Sequence, residues 1–344
     1  MPKPVIAISV GCPSGIGPEV AVQAAAEARD ATIVLVGDRR VIERAATIVG
    51  FPKKRLVDVD ERSMRELEGE KRTPLIGCYA PAASIAIARA RPGKPSREGG
   101  AAQLAWIDQA MDLVKSGTAR ALVTGPVSKS AIASSSRAAS GFRGHTEYLA
   151  ARCNADEVVM AFWAEELTIA LVTTHLPIAR VAKALTSKKV AGAVFWTAWL
   201  MSRLGSKKPR IVVTGLNPHA GEGGLIGSEE SQSIVPGIDF ARLRIARSRI
   251  AATVTGPVGA ETAIRHARSG HYAAVVAMYH DQATIPMKLV GFGEAVNVTL
   301  GLPIIRTSVD HGTGYDIAGR GEADARGMKA AIDLAVRLAA SRTR

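Results

Sequence analysis

Residues 5–20 read VIAISVGCPSGIGPEV, an apolar run followed by a glycine-rich turn and the start of an alanine-rich segment. A strand, a tight turn and a helix in this order form the basic unit of a parallel α/β sheet. The glycines are spaced G-x-x-x-G-x-G, which differs from the G-x-G-x-x-G fingerprint of a dinucleotide-binding turn, and the Gly-Lys-Ser/Thr ending of a P-loop is absent. The turn is therefore either a phosphate cradle of another kind or a plain strand-to-helix connection with Pro18 near the helix start.

Strands and helices continue to alternate along the chain. Nine runs rich in β-branched residues are predicted strands: Val5–Val10, Thr32–Val36, Ala121–Thr124, Val158–Phe162, Thr168–Thr173, Ile211–Thr214, Ala251–Thr255, Ala273–Ala277 and Val296–Leu300. Seven stretches are predicted helices: Pro18–Ala28, Arg40–Val49, Glu98–Lys115, Ser187–Leu204, Ser228–Ile245, Ala260–Arg268 and Ala323–Ala340. This alternation predicts an α/β protein with mostly parallel sheets. A chain of 344 residues is long enough for two hydrophobic cores.

The net charge of +13 raises the question of a nucleic-acid partner. The basic residues are scattered, and the aromatic residues, 4% of the chain, are not interleaved with a basic stripe as a base-stacking platform requires. We therefore expect no nucleic-acid partner. A positive field that attracts a small anionic substrate explains the charge more simply.

The sequence predicts neither a membrane protein nor a secreted one. Its longest apolar run, Val190–Met201, is well short of the ~20 residues that cross a bilayer. The N-terminal apolar run enters a glycine turn directly, without the cleavage pattern of a signal peptide. The three cysteines, Cys12, Cys78 and Cys153, are odd in number and form no C-x-x-C pair, which favours neither a disulfide framework nor a zinc ribbon. We expect a cytoplasmic protein.

Histidines follow three of the predicted strands. They are His175 after VTT, His219 in GLNPHAGEGG and His280 in MYHDQ. Ligands of open α/β sheets bind at the carboxyl ends of the strands, and three protein ligands with an open position are typical of a catalytic transition-metal site. The pattern favours such a site. The alternative is that these are loop histidines that cap helices or titrate in solvent.

Groups suited to a phosphorylated acid lie close to these histidines in the sequence. Lys288 follows the YHDQ turn, Asn297 lies in the next predicted strand, and Arg306 follows GLPII. Lysine binds phosphate as a point charge and arginine as a bidentate fork. The set favours a small anionic substrate, although any one of these cations taken alone is more often a solvated surface charge.

Several longer motifs resemble one enzyme family. They are GCPSGIGPE, GHTEYLA, THLP, GLNPHAGEGGLIGSEE and MYHDQATIPMKLVGFGEAVNVTLGLPIIRTSVDHGTGYDIAGRG. Together they resemble the 4-hydroxythreonine-4-phosphate dehydrogenase (PdxA) family of pyridoxal phosphate biosynthesis, from the first strand to about Asp324. The blocks 215–230 and 278–321 are long and specific.

The resemblance implies a fold and an assembly. The fold would have two domains of αβα layers, like isocitrate and isopropylmalate dehydrogenases, and the protein would be a homodimer whose active site is shared between subunits. Residues 1–130 with 290–344 would form the cofactor side, and residues 131–289 would form the metal, substrate and dimerisation side. The active site would lie in the cleft between the two.

The resemblance also implies a reaction and its residues. The family oxidises 4-phosphooxy-L-threonine with NAD or NADP to a β-keto acid, which loses CO2 to give 3-amino-2-oxopropyl phosphate. The ligands of a divalent ion, zinc, magnesium or cobalt, would be His175, His219 and His280, with one of them reaching in from the partner subunit. The substrate-binding residues would be His145, Thr146, Lys288, Asn297 and Arg306. Lys288 is the candidate for proton transfer because a nearby metal can lower the pKa of a lysine, and His145 is the alternative. The cofactor would be bound near His311, Gly312 and Thr313.

Two departures from the family pattern leave the substrate open. Cys12 stands where the family has aspartate in G-D-P-x-G-I-G-P-E, and Glu261 replaces an aspartate in GPVGAET. The alternatives are another phosphorylated hydroxy acid, such as threonate or erythronate 4-phosphate, and a cyclic dihydrodiol carboxylate. A non-catalytic metal- or anion-binding protein is disfavoured because no metal ligand and no cation of the set is missing. Under this interpretation the opening turn is not a dinucleotide cradle.

Overall fold

The apolar run near the N-terminus forms a strand, Val5–Ser9, in which all five side chains are buried. The next strand, Thr32–Val36, is buried in the same way. Strands without polar alternation are typical of a parallel sheet that is covered on both faces. The computed structural model describes residues 3–67, 75–80, 85–291 and 293–341.

Strands and helices alternate through these residues. The strands are β1 Val5–Ser9, β2 Thr32–Val36, β3 Leu56–Asp58, β4 Ile76–Tyr79, β5 Ala121–Thr124, β6 Val159–Ala164, β7 Leu167–Leu171, β8 Arg210–Thr214, β9 Thr253–Val258, β10 Ala274–Ala277, β11 Val296–Leu300 and β12 Arg306–Val309. The helices are α1 Gly17–Glu27, α2 Arg39–Ile48, α3 Ser63–Glu66, α4 Arg97–Lys115, α5 Lys129–Ser135, α6 His145–Arg152, α7 Val181–Ala184, α8 Ser187–Arg203, α9 Val235–Arg247, α10 Ala260–Arg268, α11 His280–Val290 and α12 Arg326–Ala340. Across the described ranges, no helix is both long and apolar enough to span a membrane.

The chain divides into two compact units, Met1–Cys153 with Pro303–Arg344 and Asn154–Leu302. In the first unit, the strands lie in the order β3-β4-β2-β1-β5-β12. All the neighbouring pairs are parallel. The register places Thr124 beside Ser9 of β1 and Ser308 of β12, at the carboxyl ends of these strands.

The second unit has a mixed sheet in the order β11-β6-β7-β10-β8-β9. The strands β7, β10, β8 and β9 are parallel, whereas β6 runs antiparallel to both of its neighbours. The core of this unit includes Ile169, Val212, Val275 and Met287, all with at most 2% of their surface exposed in the strands and in α11. The predicted α/β class with mostly parallel strands is confirmed.

The division of the chain differs from the limits that the resemblance implied at residues 130 and 289. The helix α6 belongs to the first unit because it is tied to α4: the Tyr148 hydroxyl donates to the Asp108 carboxylate at 2.8 Å, and Arg152 pairs with the same carboxylate at 3.0 Å. The strand β11 belongs to the second unit because it pairs with β6. His145 therefore lies in the first unit, whereas His175, His219 and His280 lie in the second.

Candidate active site

His175 and His280 lie side by side at the carboxyl edge of the parallel strands in the second unit. His175 follows β7, and His280 begins α11 directly after the neighbouring strand β10. Their ring centroids are 5.4 Å apart. Two imidazoles bound to one tetrahedral ion through metal–nitrogen bonds of about 2.1 Å have their ring centroids about 5.3 Å apart. The pair therefore fits two ligands of a single ion.

Hydrogen bonds fix the ends of these strands relative to one another. Thr173 donates to the carbonyl of Met278 from both its amide (3.2 Å) and its hydroxyl (2.7 Å). The side-chain oxygen of Gln282 accepts from the Thr214 hydroxyl at 2.8 Å and from the Met278 amide at 2.6 Å. The side-chain nitrogen of Gln282 donates to the carbonyl of Gly215 at 2.9 Å. These bonds join the end of β7 to that of β10 and the end of β10 to that of β8.

His280 also has a carboxylate neighbour. Its Nδ1 lies 2.8 Å from Oδ1 of Asp281. A carboxylate on one ring nitrogen orients many metal-binding histidines and leaves the other nitrogen as the ligand. In this arrangement Nε2 of His280 would be the ligand atom.

His219 lies in a loop with an unusual backbone. Six consecutive residues have positive φ angles: His219 (51°), Ala220 (53°), Gly221 (81°), Glu222 (45°), Gly223 (66°) and Gly224 (102°). The left-handed region costs a non-glycine residue roughly 1–2 kcal/mol, so other contacts must hold the three non-glycine residues there. The loop leaves His219 exposed.

The three histidines do not form one ligand set within a single chain. Within the part of the chain that the structure describes, no group of three or more His, Cys, Asp or Glu side chains is arranged to hold a metal ion. His175 and His280 together offer two imidazoles, and His219 does not join them. Imidazole suits zinc and other transition metals, whereas magnesium prefers carboxylate and water oxygens.

Lys288 and Asn297 lie in the second unit as well. Lys288 is exposed on α11, two turns after His280, which separates the two backbone positions by about 12 Å along the helix. Asn297 is half-buried in β11, opposite Phe162 of β6. The proximity of Lys288 to a metal ion therefore stays a prediction.

Arg306 is a buried cation of the first unit, with 2% of its surface exposed. Its Nη2 donates to the hydroxyl of Thr124 at 2.7 Å. Burial lowers the pKa of the Arg306 guanidinium to about 9, and the carboxylate of Glu147 acts in the opposite direction. A guanidinium held away from water favours an anionic ligand, because pairing offsets the cost of desolvation.

Arg306 and a second cation, Lys129, lie close enough to His145 for their positive charges to act on its imidazole. His145 is the first residue of α6, and its Nε2 is buried without a hydrogen-bond partner among the residues described. Burial lowers the pKa of His145 well below its ordinary value, and the positive charges of Arg306 and Lys129 lower it further. The ammonium of Lys129 lies 3.8 Å from the position that a Cβ on Gly144 would occupy. We call His145, Arg306 and Lys129 the basic cluster; Thr146 follows His145 in the first turn of α6.

The loop that contains His311, Gly312 and Thr313 packs against the opening turn of the chain. The carbonyl of Thr313 accepts from the Ile16 amide at 2.9 Å. A Cβ on Gly15 would lie 2.5 Å from that carbonyl oxygen, so only glycine allows this approach. The glycine thus serves loop packing, and cofactor binding by His311, Gly312 and Thr313 stays a prediction.

Cys12 lies in the same contact between the two loops. Its sulfur is 3.4 Å from the hydroxyl of Tyr315, and burial raises the pKa of the thiol. Nearby, the carboxylate of Glu19 accepts hydrogen bonds from the amides of Gly319 (2.8 Å) and Gly321 (3.1 Å). Cys12 is therefore a buried, protonated group that contacts the second loop.

Lys129 of the basic cluster and Thr124, which contacts Arg306, were not among the predicted site residues. Thr124 and Lys129 both belong to the segment VTGPVSK, residues 123–129. The motif VTGPV, which occurs at residues 123–127 and again at 254–258, points to a turn at the end of a strand, but a single lysine after such a turn is common on any surface. Their approach to Arg306 and His145 depends on residues far away in the sequence.

Known proteins are similar to this chain over nearly its full length. The family model described as "Pyridoxal phosphate biosynthetic protein PdxA" matches residues 29–335. A 4-hydroxythreonine-4-phosphate dehydrogenase of Desulfosudis oleivorans is 41% identical over 344 residues, with 98% of this chain and 97% of the relative covered.

Solved structures are similar along the whole chain. The 4-hydroxythreonine-4-phosphate dehydrogenase from Klebsiella pneumoniae has a TM-score of 0.82 and 33% identity, with 98% of this chain and 100% of that chain covered. The terephthalate 1,2-cis-dihydrodiol dehydrogenase from Burkholderia xenovorans has a TM-score of 0.67 and 30% identity, with 97% and 98% covered. From the family match and the identity over nearly its full length, this chain belongs to the PdxA family.

Proposed function

We propose that this chain is a 4-hydroxythreonine-4-phosphate dehydrogenase. It would oxidise 4-phosphooxy-L-threonine with NAD or NADP, and the resulting β-keto acid would lose CO2 to give 3-amino-2-oxopropyl phosphate. The main support is the pair of imidazoles of His175 and His280, 5.4 Å apart, in a chain whose relatives bear this name. The free thiols of the three cysteines support a reducing compartment, the cytoplasm.

His175 and His280 would hold a divalent ion, and His219 would be its third ligand. An ion held by these residues would supply Lewis-acid chemistry, which lowers the pKa of a hydroxyl and stabilises negative charge on oxygen. The imidazole ligands favour zinc or another transition metal over magnesium.

The remaining groups have separate tasks in this proposal. The basic cluster would bind the phosphate, with Thr146 beside it, and Asn297 would orient the substrate. A bound NAD or NADP would supply the hydride acceptor, and Lys288 would take the proton of the substrate hydroxyl. After CO2 leaves with its bonding electrons retained by the substrate, Lys288 would return a proton to the carbon. Preorganised charges of this kind supply much of the rate enhancement in such sites.

A shared site between two copies is supported by the exposed apolar side chains that accompany the histidines. Each histidine segment contributes two of them: Leu176 and Ile178, Leu225 and Ile226, and Ile285 and Leu289. Exposed apolar groups of this size are typical of association surfaces. Because His219 is itself exposed on its loop, we propose that it completes the ligand set of a second copy in a homodimer.

The second candidate is a dehydrogenase of a cyclic dihydrodiol carboxylate. It is favoured by the 30% identity to the terephthalate dihydrodiol dehydrogenase and by the departures at Cys12 and Glu261. The basic cluster favours the phosphorylated substrate, because a dianionic phosphate matches three cationic or hydrogen-bonding side chains better than a single carboxylate does.

The test is NADH or NADPH formation with purified protein and a panel of substrates. The panel contains 4-phosphooxy-L-threonine, threonate 4-phosphate, erythronate 4-phosphate and a cis-dihydrodiol carboxylate, each with added zinc and with a chelator. We expect turnover of 4-phosphooxy-L-threonine that the chelator abolishes and zinc restores. Turnover of the dihydrodiol alone would establish the second candidate, and no turnover of any member would refute both.

A further inference from the structure

We propose that Glu230 is a positioning residue for metal binding: it holds the loop that presents His219. The inference rests on the proposed role of His219 as a metal ligand. Glu230 belongs to the motif GLNPHAGEGGLIGSEE and lies eleven positions after that histidine in the chain. None of the reaction steps proposed above uses it.

Glu230 contacts the segment through which the chain enters the loop. Its Oε1 accepts hydrogen bonds from the amides of Leu216 and Asn217, both at 2.8 Å. Its Oε2 accepts from Nδ2 of Asn217 at 2.9 Å. The carboxylate therefore holds the backbone of Asn217, two residues before His219, and it shares the Asn217 side chain with Glu229, whose Oε2 accepts from the same Nδ2 at 2.8 Å.

The fixed Asn217 in turn closes the turn around the histidine. Its carbonyl accepts a hydrogen bond from the amide of Ala220 at 3.1 Å, and His219 lies inside the loop that this bond closes. Glu230 therefore acts on the left-handed backbone of His219 through a single intermediate residue, Asn217.

Glu230 also contacts the far side of the loop. A Cβ on Gly221 would lie 2.7 Å from Oε2 of Glu230, and a Cβ on Gly215 would lie 3.1 Å from Oε1. The carboxylate therefore fits between the two glycines, one at the end of β8 and one within the left-handed stretch. A side chain at Gly221 would collide with the carboxylate, and one at Gly215 would crowd it.

The burial of Glu230 indicates that these contacts are specific. Only 7% of its surface is exposed, and it begins the π-helical turn Glu230–Ile234 that precedes α9. A carboxylate is costly to bury unless its oxygens accept hydrogen bonds, and here three donors supply them. Without this anion, the left-handed residues would relax to ordinary backbone conformations, and the imidazole of His219 would lose its fixed position.

The experiment compares the zinc affinity of four variants with that of the wild-type protein. The variants are Glu230→Gln, Gly221→Ala, Glu222→Gln and His219→Ala. Zinc affinity is measured by competition with a chromophoric chelator, and the absorption spectrum of bound cobalt reports the ligand geometry. Circular dichroism and the oligomeric mass show whether each variant keeps its fold and assembly.

We expect Glu230→Gln to weaken zinc binding by about 10- to 100-fold, the range found for groups that orient metal ligands. The cobalt spectrum should change with it. Gly221→Ala places a methyl group against the carboxylate and also strains the backbone at its φ of 81°, and it should weaken zinc binding in the same direction. Glu222→Gln is the charge-matched control, because this exposed carboxylate lies in the same loop; we expect at most about a threefold change.

The outcomes separate this inference from the proposed function. If His219→Ala keeps wild-type zinc affinity, the role of His219 as a ligand is wrong. If His219→Ala loses affinity while folded Glu230→Gln and Gly221→Ala keep it, the positioning role of Glu230 is wrong and the metal site stands. An equal loss in Glu230→Gln and Glu222→Gln would assign the effect to charge alone and would also overturn the inference. If Glu230→Gln fails to fold, wild-type zinc affinity in Gly221→Ala would overturn the inference, and a loss there that Glu222→Gln does not share would support it.

Discussion

The imidazole of His145 lies beside two positive charges, Arg306 and Lys129, so a third is unfavourable there. Burial and the charges of Arg306 and Lys129 lower its pKa, so the folded chain binds this proton less readily than the unfolded chain. Below the ordinary histidine pKa of about 6.5, unfolding then takes up a proton. The stability that this histidine contributes is full above that pH and is lost as the pH falls towards the lowered pKa of the folded state.

We therefore predict that the free energy of unfolding decreases below about pH 6.5, by up to about 1.4 kcal/mol per pH unit from this one group. Urea unfolding between pH 5 and pH 8 measures it. The His145→Gln variant cannot take up this proton and should show a flatter profile. An equal slope in both proteins would contradict the prediction.

Thr124 is the partner of a buried charge. We predict that Thr124→Val lowers the free energy of unfolding by about 1.5–3 kcal/mol, because it removes the 2.7 Å hydrogen bond to the Arg306 guanidinium without changing the side-chain shape. Thr124→Ser keeps the hydroxyl and is the control, with a smaller loss expected. Denaturant unfolding at pH 7.5 compares the two, and equal losses would show that the hydroxyl is not the cause.

At the scale of elements, the contact between α4 and α5 depends on one glycine. A Cβ on Gly100 of α4 would lie only 2.0 Å from the carbonyl oxygen of Ala131 in α5. Replacing glycine by alanine inside a helix usually stabilises a protein by up to about 1 kcal/mol. Here we predict the opposite effect. Gly100→Ala should lower the free energy of unfolding by about 1–3 kcal/mol, because the two helices must move apart.

Thermal unfolding tests the glycine prediction against a matched variant. Gly141→Ala adds the same methyl group where nothing lies within 4 Å of the new Cβ. We expect the melting temperature to fall for Gly100→Ala and to stay near that of the wild type for Gly141→Ala. A gain in stability for Gly100→Ala would mean that the close approach of the helices is not required.

The elements that the sequence predicts best are continuous apolar runs, which are buried on both faces of the sheet. The buried strands β1, β2 and β5 occur within one residue of their predicted limits. Strand β12, with the sequence RTSV, is missed because it starts with arginine and has no apolar run. Helix α11 is missed because Pro286 interrupts its pattern, although the helix continues past it.

The sequence also predicts that His175 and His280 lie close together. The carboxyl ends of neighbouring parallel strands must meet at one edge, so the ends of β7 and β10 bring His175 and His280 together. His219 follows the third strand of this edge, β8, yet its left-handed loop keeps it apart. The backbone of that loop is set by Glu230 and two glycines, and no periodicity indicates such contacts.

At the scale of the whole molecule, the proposed dimer takes two ligands of each metal site, His175 and His280, from one chain and the third, His219, from the other. His219→Ala and His280→Ala should each be inactive as homodimers. When the two are unfolded together and refolded as a mixture, each mixed dimer should contain one intact site. We predict recovery of about a quarter of the wild-type activity, since half of the dimers are mixed and one of their two sites is complete.

The control for this mixture is His175→Ala with His280→Ala. Their imidazoles lie 5.4 Å apart in the same chain, so every site of a mixed dimer lacks one ligand and no activity should return. Recovery of activity in the control, or no recovery in the first mixture, would mean that His219 is not the ligand that the second chain supplies.

The sequence by itself determined the α/β class, the parallel strands and the edge at which the histidines lie. These features follow from local patterns: apolar runs that are buried whole, glycine turns after strands, and the common direction of parallel strands. The tertiary structure decided the limits of the two units, the basic cluster around Arg306 and the conformation of the His219 loop. These depend on contacts between distant positions, such as Thr124 with Arg306 and Asp108 with Tyr148. Only folding brings such groups within hydrogen-bonding distance, so local sequence patterns cannot predict these contacts.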